Sequence, residues 1–214
     1  MIIDFIKSKA KVSDNALEIG GGSGAFLDLI MERMGISNAY NLEFVTDPYR
    51  LQVNPLTTLI KGTAVSVPFK SECFDWVIMK NLLHHLIGDT RKASKENVKK
   101  AIEEGARVLK KNGHFVILEE YNQHDFFGSI VFYLTLLLSR LNMRIRPFGW
   151  ERNVIVSFMT PEEILSMTNR IIDCETIIYY RTPIDVPLRF KISILMSRIG
   201  RATIIMKRIG QPDK

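Results

Sequence analysis

The chain is poor in cysteine: it has Cys73 and Cys174 in 214 residues, and the two lie far apart. Neither is part of a C-x-x-C pair or lies near a histidine at the spacing of metal ligands, so we expect no metal site. A secretory signal is also missing, because the first 15 residues contain Asp4 and no sustained apolar core. We therefore expect a cytoplasmic protein, in a compartment where thiols stay reduced.

Hydrophobic runs of membrane-spanning length are missing too. The apolar run Ile130–Leu138 is too short to cross a bilayer, which takes roughly 20 apolar residues. It lies within residues 125–140, which are apolar nearly all round and are followed by a basic stretch that includes Arg144 and Arg146. This segment has two interpretations. It is either a buried helix packed on the domain, or a lid helix that lines an apolar acceptor pocket or enters a membrane interface.

The composition that remains is that of one globular domain over residues 1–214, with 46% hydrophobic and 24% charged positions. These figures exclude intrinsic disorder, collagen and a disulfide miniprotein. The formal net charge is +6, and residues 1–139 contain 16 Lys plus Arg and 16 Asp plus Glu, against 13 and 7 in residues 140–214. The excess in the last third suits an anionic membrane surface, nucleic acid or an acidic substrate, with a solvated basic surface as the alternative.

Short apolar runs alternate with longer amphipathic stretches from Ala16 onward, which is the pattern of a parallel sheet covered by helices. The predicted strands are 16–20, 38–44, 56–60, 74–79, 115–119, 175–180 and 203–208. The predicted helices are 23–34, 95–110, 125–140 and one that starts at Thr160–Glu163, where a capping residue, a proline and two acids meet. The helix 95–110 is expected to end at Lys110–Gly113, with cations in its last turn and glycine beyond.

Four glycines, Gly20, Gly21, Gly22 and Gly24, lie between the first strand and the helix that follows it. Glycine permits a tight turn and lets backbone N–H groups approach an anionic or polar ligand at the helix N-terminus. A P-loop is excluded, because no lysine followed by Ser or Thr closes the run. A dinucleotide fingerprint stays open, since Gly20, Gly22 and Ala25 fit G-x-G-x-x-A.

An acidic residue, Glu43, ends the second strand 19 positions after Gly24. At that place a carboxylate can accept hydrogen bonds from both hydroxyls of an adenosyl ribose. NAD enzymes share this feature, and a solvated glutamate at a strand end is the structural alternative. The glycines and Glu43 therefore predict an adenosine-containing ligand without deciding which one.

Five blocks of sequence, taken in order, resemble those of class I S-adenosylmethionine-dependent methyltransferases, and in particular the small-molecule group that includes the quinone-biosynthesis enzymes. The blocks are Glu18–Gly24, Gly62–Phe69, Cys73–Ile78, Leu82–Leu86 and Ala106–His114. An NAD enzyme would not be expected to show the last four. The resemblance implies an α/β fold with a Rossmann-like doubly wound sheet of seven strands, mostly parallel with an antiparallel C-terminal strand.

The resemblance also implies which residues bind S-adenosylmethionine. Glu18 and the backbone of Gly20–Gly22 would bind the methionine end, Glu43 the ribose, and Thr63 with Ala64 the adenine edge. Many relatives have an aspartate at the position of Thr63, so here the neighbouring backbone is expected to matter more. Two residues at the end of the fourth strand would wall the methyl-donor pocket, and we expect the Lys80 ammonium to point away from the sulfonium. The full expected set is Glu18, Gly20, Gly21, Gly22, Gly24, Glu43, Phe44, Thr63, Ala64, Lys80 and Asn81.

Catalysis of methyl transfer needs alignment and exclusion of water, and it needs a general base only where the acceptor arrives protonated. Several candidates lie at the ends of the fourth and fifth strands, where open α/β sheets bind ligands. They are His84, His85, Glu119, Glu120, Tyr121 and His124. We choose His85 first, then Tyr121 and His124. The alternative to a catalytic role for the two adjacent histidines is that one packs in the core and the other is solvated.

The acceptor is chosen by segments outside the shared core, Tyr121–Met159 and Arg181–Arg201, which are both apolar and basic. Because only 15 residues precede Ala16, we expect an N-terminal helical lid to be largely missing and residues 121–159 to form the lid and acceptor-binding insertion. These features predict a methyltransferase that acts on a small hydrophobic acceptor (isoprenoid, quinone-like or lipid), with peripheral contact to an anionic membrane and no DNA partner. RNA methylation is an alternative, although the chain lacks an Asn-Pro-Pro-Tyr type tetrapeptide and an aromatic stacking platform. The third possibility is a non-catalytic, cofactor-binding subunit that activates a partner protein.

Overall fold

The computed structural model describes residues 2–36, 38–44, 57–143, 154–185 and 199–209. These residues form helices on both faces of a seven-stranded sheet. The helices are α1 (Ile2–Lys9), α2 (Ala25–Met34), α3 (Arg91–Val108), α4 (Asp125–Arg140) and α5 (Pro161–Thr168). The strands are β1 (Asn15–Ile19), β2 (Asn38–Glu43), β3 (Thr58–Lys61), β4 (Phe74–Lys80), β5 (Leu109–Asn122), β6 (Cys174–Pro183) and β7 (Ile199–Arg208).

The strand order in the sheet is β3-β2-β1-β4-β5-β7-β6. Strands β1 to β5 pair in parallel, and β7 runs antiparallel to both of its neighbours. The predicted fold class is therefore confirmed. The order reverses between β1 and β4, and the carboxyl ends of strands at such a reversal form a crevice where open α/β sheets bind ligands.

The two central strands are buried on both faces, which explains their continuous apolar sequence. On one face, Leu17 of β1 and Val77 of β4 join the core that packs against α3. On the other, Ala16 and Ile78 join the core that packs against α1 and α2. The sheet thus holds the end of β1, where the glycines follow, in a fixed position.

Helix α1 was not predicted. Its Ile6 is fully buried, and the ring of Phe5 makes edge contacts with Trp76 (6.4 Å between centroids) and His114 (5.6 Å). The pattern Ile2, Phe5, Ile6 has helical spacing, but eight residues are too few for a clear periodic signal. The expectation that an N-terminal helical lid is largely missing stays a prediction, since α1 has eight residues. This helix packs on the outer face of the sheet and does not line the cavity described below.

The boundary between α3 and β5 also differs from the prediction. Helix α3 ends at Val108, because Leu109 already has extended geometry (φ −74°, ψ 132°). Residues 110–113 form a bulge, since Phe74 pairs with Leu109 but Trp76 pairs with His114. The left-handed residue here is Asn112 (φ 63°), whereas a glycine beyond the helix end was expected to terminate it. Sheet pairing has taken over the residues that the sequence assigned to the last helical turn.

The predicted start of α5 is confirmed in detail. The Thr160 side chain accepts a hydrogen bond from the Glu163 backbone N–H (3.2 Å), and the Glu163 carboxylate accepts one from the Thr160 N–H (2.9 Å). The predicted connection 181–201 is described only at its ends, in β6 and β7, and residues 186–198 lie outside the described residues. Of the predicted insertion 121–159, residues 144–153 lie outside them.

Candidate active site

The glycine turn after β1 lies directly on two polar side chains. A Cβ atom at Gly21 would be 2.6 Å from Asn41 Oδ1 and 2.7 Å from Glu18 Oε2. At Gly20, which has φ +71°, a Cβ atom would be 2.4 Å from a methyl carbon of Leu82. The left-handed backbone at Gly20 favours glycine, and a side chain at Gly21 would have to displace the Glu18 and Asn41 side chains below the turn.

Beneath this turn, Glu18 and Asn41 each present an oxygen without a hydrogen-bond partner in the described structure. Glu18 is 1% exposed, and its Oε2 and the Oδ1 of Asn41 are both buried and unpaired. Burial raises the pKa of Glu18 to about 7, although the positive charge of Lys80 opposes the shift. Two orphaned acceptors of this kind fit a cationic donor such as the ammonium of an amino acid. Glu18 was predicted for this role, and Asn41 was not.

The sequence held a signal for Asn41. It lies two positions before Glu43 on β2, so alternation along the strand puts both on the same face. Its Nδ2 donates a hydrogen bond to the Gly22 carbonyl (3.0 Å), which ties the side chain to the glycine turn.

Glu43 and the glycine turn border a cavity of about 350 Å³ at the carboxyl ends of the strands. One oxygen of Glu43 accepts a hydrogen bond from the Gly22 N–H and the other from the Phe44 N–H, both at 2.9 Å. Five residues predicted to bind the cofactor line this cavity: Gly20, Glu43, Phe44, Thr63 and Ala64. Its wall also includes residues that were not predicted, namely Leu42, Gly62, Val65, Leu82, Leu86, Ile87 and Asn97.

Thr63 directs its hydroxyl toward its own turn. Its Oγ1 accepts from the Val65 N–H at 3.4 Å, and Thr63 forms an isolated bridge with Ser66. These contacts hold the local backbone at the cavity wall, and the role of Thr63 toward adenine stays a prediction.

The other predicted cofactor residues do not line the cavity. The Lys80 ammonium lies 5.3 Å from the ring centroid of Phe26, a cation–π contact. Asn81 adopts left-handed geometry (φ 51°), and its buried Oδ1 has no partner among the described residues. Gly24 (φ 77°) precedes the first turn of α2.

The three candidate bases are not brought together. His85 lines the cavity, and desolvation, with the neighbouring His84, lowers its pKa to about 4, so its ring is neutral near pH 7. Tyr121 is buried in the core against Gly200, where a Cβ atom would be 2.3 Å from its hydroxyl oxygen. His124 is exposed at the start of α4, with its ring 5.9 Å from that of Phe127. His85 alone of the three borders the cavity in the described structure.

A buried His84–Glu119 pair lies behind His85. The Nδ1 of His84 and Oε1 of Glu119 form a short hydrogen bond, and Oε2 of Glu119 accepts from the Leu83 N–H (2.7 Å). The His84 ring stacks on Phe158 (5.0 Å) and lies 4.1 Å from the His85 ring. The parallel register of β4 and β5 brings these residues together. They were among the candidates at the strand ends, but neither was chosen.

Helix α4 has one buried and one exposed apolar face. Its buried residues are Gly128, Val131, Phe132, Thr135 and Leu138. Its exposed apolar residues are Phe126, Tyr133 and Leu137, and Leu141 and Met143 continue this exposure beyond the helix. The buried residues recur at helical spacing on one side of α4, and the exposed apolar residues recur at helical spacing on the opposite side. No helix in the described parts of the chain is long and apolar enough to span a membrane.

The start of α4 is anchored to α3 by ionic contacts. Asp125 accepts hydrogen bonds from the Arg91 guanidinium (2.6 Å) and the Lys95 ammonium (2.9 Å). A Cβ atom at Gly128 would be 2.8 Å from the Phe158 carbonyl oxygen, so the helix lies close to the residue that covers His84. The helix therefore packs close to the His84–Phe158 stack, although none of its described residues lines the cavity.

These features define a Rossmann-like domain with a cavity at the carboxyl ends of its strands, a carboxylate in the cavity wall and two buried, unpaired acceptor oxygens beneath the glycine turn. Comparison with known proteins agrees. Residues 17–117 match the family described as "Methyltransferase domain". Over 123 residues the chain is 27% identical to the uncharacterized methyltransferase YcgJ of Bacillus subtilis. This alignment covers 55% of this chain and 45% of that protein. The chain thus spans about half the length of the curated relative that it matches.

Solved structures with the same fold extend over nearly the whole chain. The YcgJ crystal structure aligns with a TM-score of 0.63 at 17% identity, covering 98% of each chain. A SAM-dependent methyltransferase from Methanosarcina mazei aligns at 0.66 and 16% identity, covering 97% of this chain and 98% of that one. The geranyl diphosphate C-methyltransferase of Streptomyces coelicolor aligns with a TM-score of 0.65 at 11% identity, covering 97% of this chain and 77% of that one.

Residues 17–117 thus match a methyltransferase domain, and the fold is that of S-adenosylmethionine-dependent methyltransferases of known structure. The predicted family is confirmed at this level. The quinone-biosynthesis subgroup and the residue roles stay predictions.

Proposed function

We propose that the chain transfers the methyl group of S-adenosylmethionine to a small hydrophobic acceptor that it takes from an anionic membrane surface. The observation that carries the transferase part is the glycine turn held over the unpaired oxygens of Glu18 and Asn41, next to a cavity bordered by Glu43. S-Adenosylmethionine supplies an electrophilic methyl group on a sulfonium. The protein residues hold and align it and exclude water.

Each part of the site has a distinct task in this proposal. Glu18 and Asn41 accept hydrogen bonds from the ammonium of the methionine end, and the ionised Glu18 balances its charge. Glu43 accepts from the ribose, in exchange for one of its present contacts with backbone N–H groups. The neutral His85 ring is placed to accept a proton from an acceptor that arrives protonated.

The hydrophobic acceptor is inferred from the exposed face of α4. Phe126, Tyr133 and Leu137 expose large apolar surfaces on one side of a helix whose other side packs near Phe158, which in turn covers His84. Arg140 is exposed in the last turn. An apolar face with a cation at its end suits the surface of an anionic bilayer. The geranyl diphosphate enzyme named above methylates an isoprenoid on the same fold, which makes an acceptor of this class compatible with it.

Product formation by the isolated chain tests the transferase part. The chain is incubated with methyl-tritiated S-adenosylmethionine and a cell lipid extract, and radioactivity is counted in the organic phase and identified by mass spectrometry. We expect label in an apolar product, and none with Gly21→Val, which fills the space over Glu18 and Asn41. Label found in RNA and absent from the organic phase would refute the acceptor class, and no product in any fraction would favour a non-catalytic subunit.

Vesicle sedimentation tests the membrane part. We expect the chain to bind vesicles that contain phosphatidylglycerol more strongly than pure phosphatidylcholine vesicles, with the difference shrinking as salt rises. Leu137→Ser should weaken binding. The matched control is Ile172→Ser, which removes the same kind of side chain from a position that is 94% exposed after α5. Equal loss in both variants, or no binding in low salt, would refute the membrane contact.

A further inference from the structure

A second cavity, of about 500 Å³, lies at the end of the parallel strands opposite to the candidate active site. It is bordered by the amino-terminal ends of β1 and β4, by the bulge that opens β5 and by the carboxyl end of β7. At ~3.3 Å per residue, the length of β4 separates it from the glycine turn by about 20 Å. Nothing in the proposed methyl transfer uses this cavity.

Four lysines from three separate parts of the chain line it: Lys9 at the end of α1 with Lys11 in the following turn, Lys111 in the bulge and Lys207 in β7. None of the four forms an ion pair within the described part of the chain. Positive charges that outnumber the carboxylates beside them repel one another, so the field in this cavity favours an anion.

The two carboxylates at the cavity already have other partners. Asp14 Oδ2 accepts from the Trp76 indole N–H and from the Lys11 backbone N–H, both at 2.9 Å. Asp75 Oδ2 accepts from the Lys110 ammonium (2.7 Å) and the Asn15 N–H (2.9 Å). Since Lys110 compensates Asp75, four lysines face one remaining carboxylate.

The bulge holds one of these lysines in place. Asn112 is in the left-handed conformation, and a Cβ atom at Gly113 would be 2.9 Å from the carbonyl oxygens of both Asp75 and Lys110. The backbone at residues 110–113 is therefore tightly packed, and Lys111 projects from it toward the cavity. Lys9 has a structural explanation as well, because a cation in the last turn of α1 interacts favourably with the helix dipole. Lys207 lies directly opposite Glu175 of β6 in the sheet register, where opposite charges are favourable, although the two form no ion pair. Neither a helix end nor an opposite acidic residue accounts for Lys111.

We propose that this cavity binds a small polyanion that carries phosphoryl groups, of the size of a nucleotide. Lysine ammonium groups bind phosphoryl oxygens as compact point charges, and the cavity has the volume of a small-molecule site. Ile177 contributes an apolar surface on one side. The site is separate from the cofactor cavity, so the proposal stands whether or not the chain methylates a lipid.

His114 offers a local probe of this binding. Its ring stacks on that of Trp76 at 4.7 Å, and its pKa is lowered by burial and then by the charges of Lys207 and Lys9. A bound polyanion should offset those charges and raise the pKa of His114, as followed by proton NMR with inorganic pyrophosphate as the probe. The exposed His124 serves as the internal reference. A shift of His124 equal to that of His114 would refute local binding.

Calorimetry with pyrophosphate at low ionic strength gives the affinity. We expect Lys111→Ala/Lys207→Ala to weaken binding about tenfold or more, since two charge-assisted contacts are lost. The matched control, Lys92→Ala/Lys100→Ala, removes two exposed charges from α3 and should leave the affinity nearly unchanged. All three proteins should bind S-adenosylhomocysteine alike, which shows that they are folded.

Three outcomes would overturn the proposal. They are absence of saturable pyrophosphate binding, equal weakening in both double variants, and binding of a bulk RNA with a steep salt dependence that pyrophosphate does not compete away. The last would assign the lysines to a nucleic-acid surface.

Discussion

The buried carboxyl of Glu18 makes both stability and cofactor binding depend on pH. Burial raises its pKa from 4.5 to about 7, and a shift of that size corresponds to about 3 kcal/mol. Between these two values the folded protein holds a proton that the unfolded chain has lost. Stability of the ligand-free protein therefore falls as pH rises from about 4.5 to about 7, and the full penalty is present above that.

Glu18→Gln removes this ionisation with little change of shape. We expect the variant, free of ligand, to be more stable than the parent at pH 8 by up to ~3 kcal/mol, and about equal to it near pH 4.5. Urea unfolding at several pH values measures the difference. A gap that stays constant across this pH range would show that Glu18 does not titrate as its burial implies.

Cofactor affinity should respond in the opposite sense. The ammonium of S-adenosylhomocysteine pairs with the ionised carboxylate, so below the pKa of Glu18 binding must first remove its proton. At pH 6 this lowers the affinity roughly tenfold relative to pH 8, by the same linkage. His85, whose pKa is about 4, stays neutral throughout and does not contribute.

Calorimetric titration of the parent and of Glu18→Gln with S-adenosylhomocysteine tests this reasoning. The variant should bind weakly at every pH, with the parent's pH dependence lost. Glu43→Gln is the matched control: it removes the carboxylate that lines the cavity but should keep the pH dependence due to Glu18. The reasoning is refuted if the parent binds equally at pH 6 and pH 8, or if Glu18→Gln retains the dependence.

Three further predictions concern single contacts. Gly21→Ala should reduce S-adenosylhomocysteine affinity by calorimetry, because the new Cβ meets Glu18 and Asn41; unchanged affinity would exclude a role of these contacts. Thr160→Ala should cost about 1 kcal/mol in urea unfolding through loss of the α5 cap, whereas Ser166→Ala within the helix should cost less, and equal effects would contradict the capping role. Glu119→Gln should destabilise the fold by about 3 kcal/mol, against little for Glu120→Gln, because the first breaks a buried pair with His84; similar losses would refute it.

The parts of the fold that the sequence predicted are those in which neighbouring residues act together. A stretch of about 30 residues contains the glycine turn, the strand before it and Glu43 at the end of β2, so all three can be recognised from local sequence. The α5 start is a pattern of four residues, and it formed as expected. Local periodicity and local turn chemistry determine these elements, so a single sequence reveals them.

The parts that were missed depend on contacts between distant segments. The bulge at 110–113 exists because β5 pairs with β4 in two registers, and helical spacing cannot reveal that. The lysine cavity joins Lys9, Lys111 and Lys207, which lie about 100 positions apart in sequence. The His84–Glu119 contact likewise depends on the alignment of two strand ends. Asn41 is the exception, because strand alternation from Glu43 predicts its face.

Burial shifts the two ionisable groups of the site in opposite directions, and both shifts favour the uncharged form. The pKa of Glu18 rises and that of His85 falls, so near pH 6 neither is predominantly charged in the ligand-free protein. A cationic His85 would repel a sulfonium in the cavity it lines, and the lowered pKa avoids that repulsion while leaving a ring nitrogen free to accept a proton. Binding of an ammonium next to Glu18, by contrast, favours its ionised form. In the proposed function, the same desolvation leaves His85 able to act as a base and Glu18 able to act as a counter-charge.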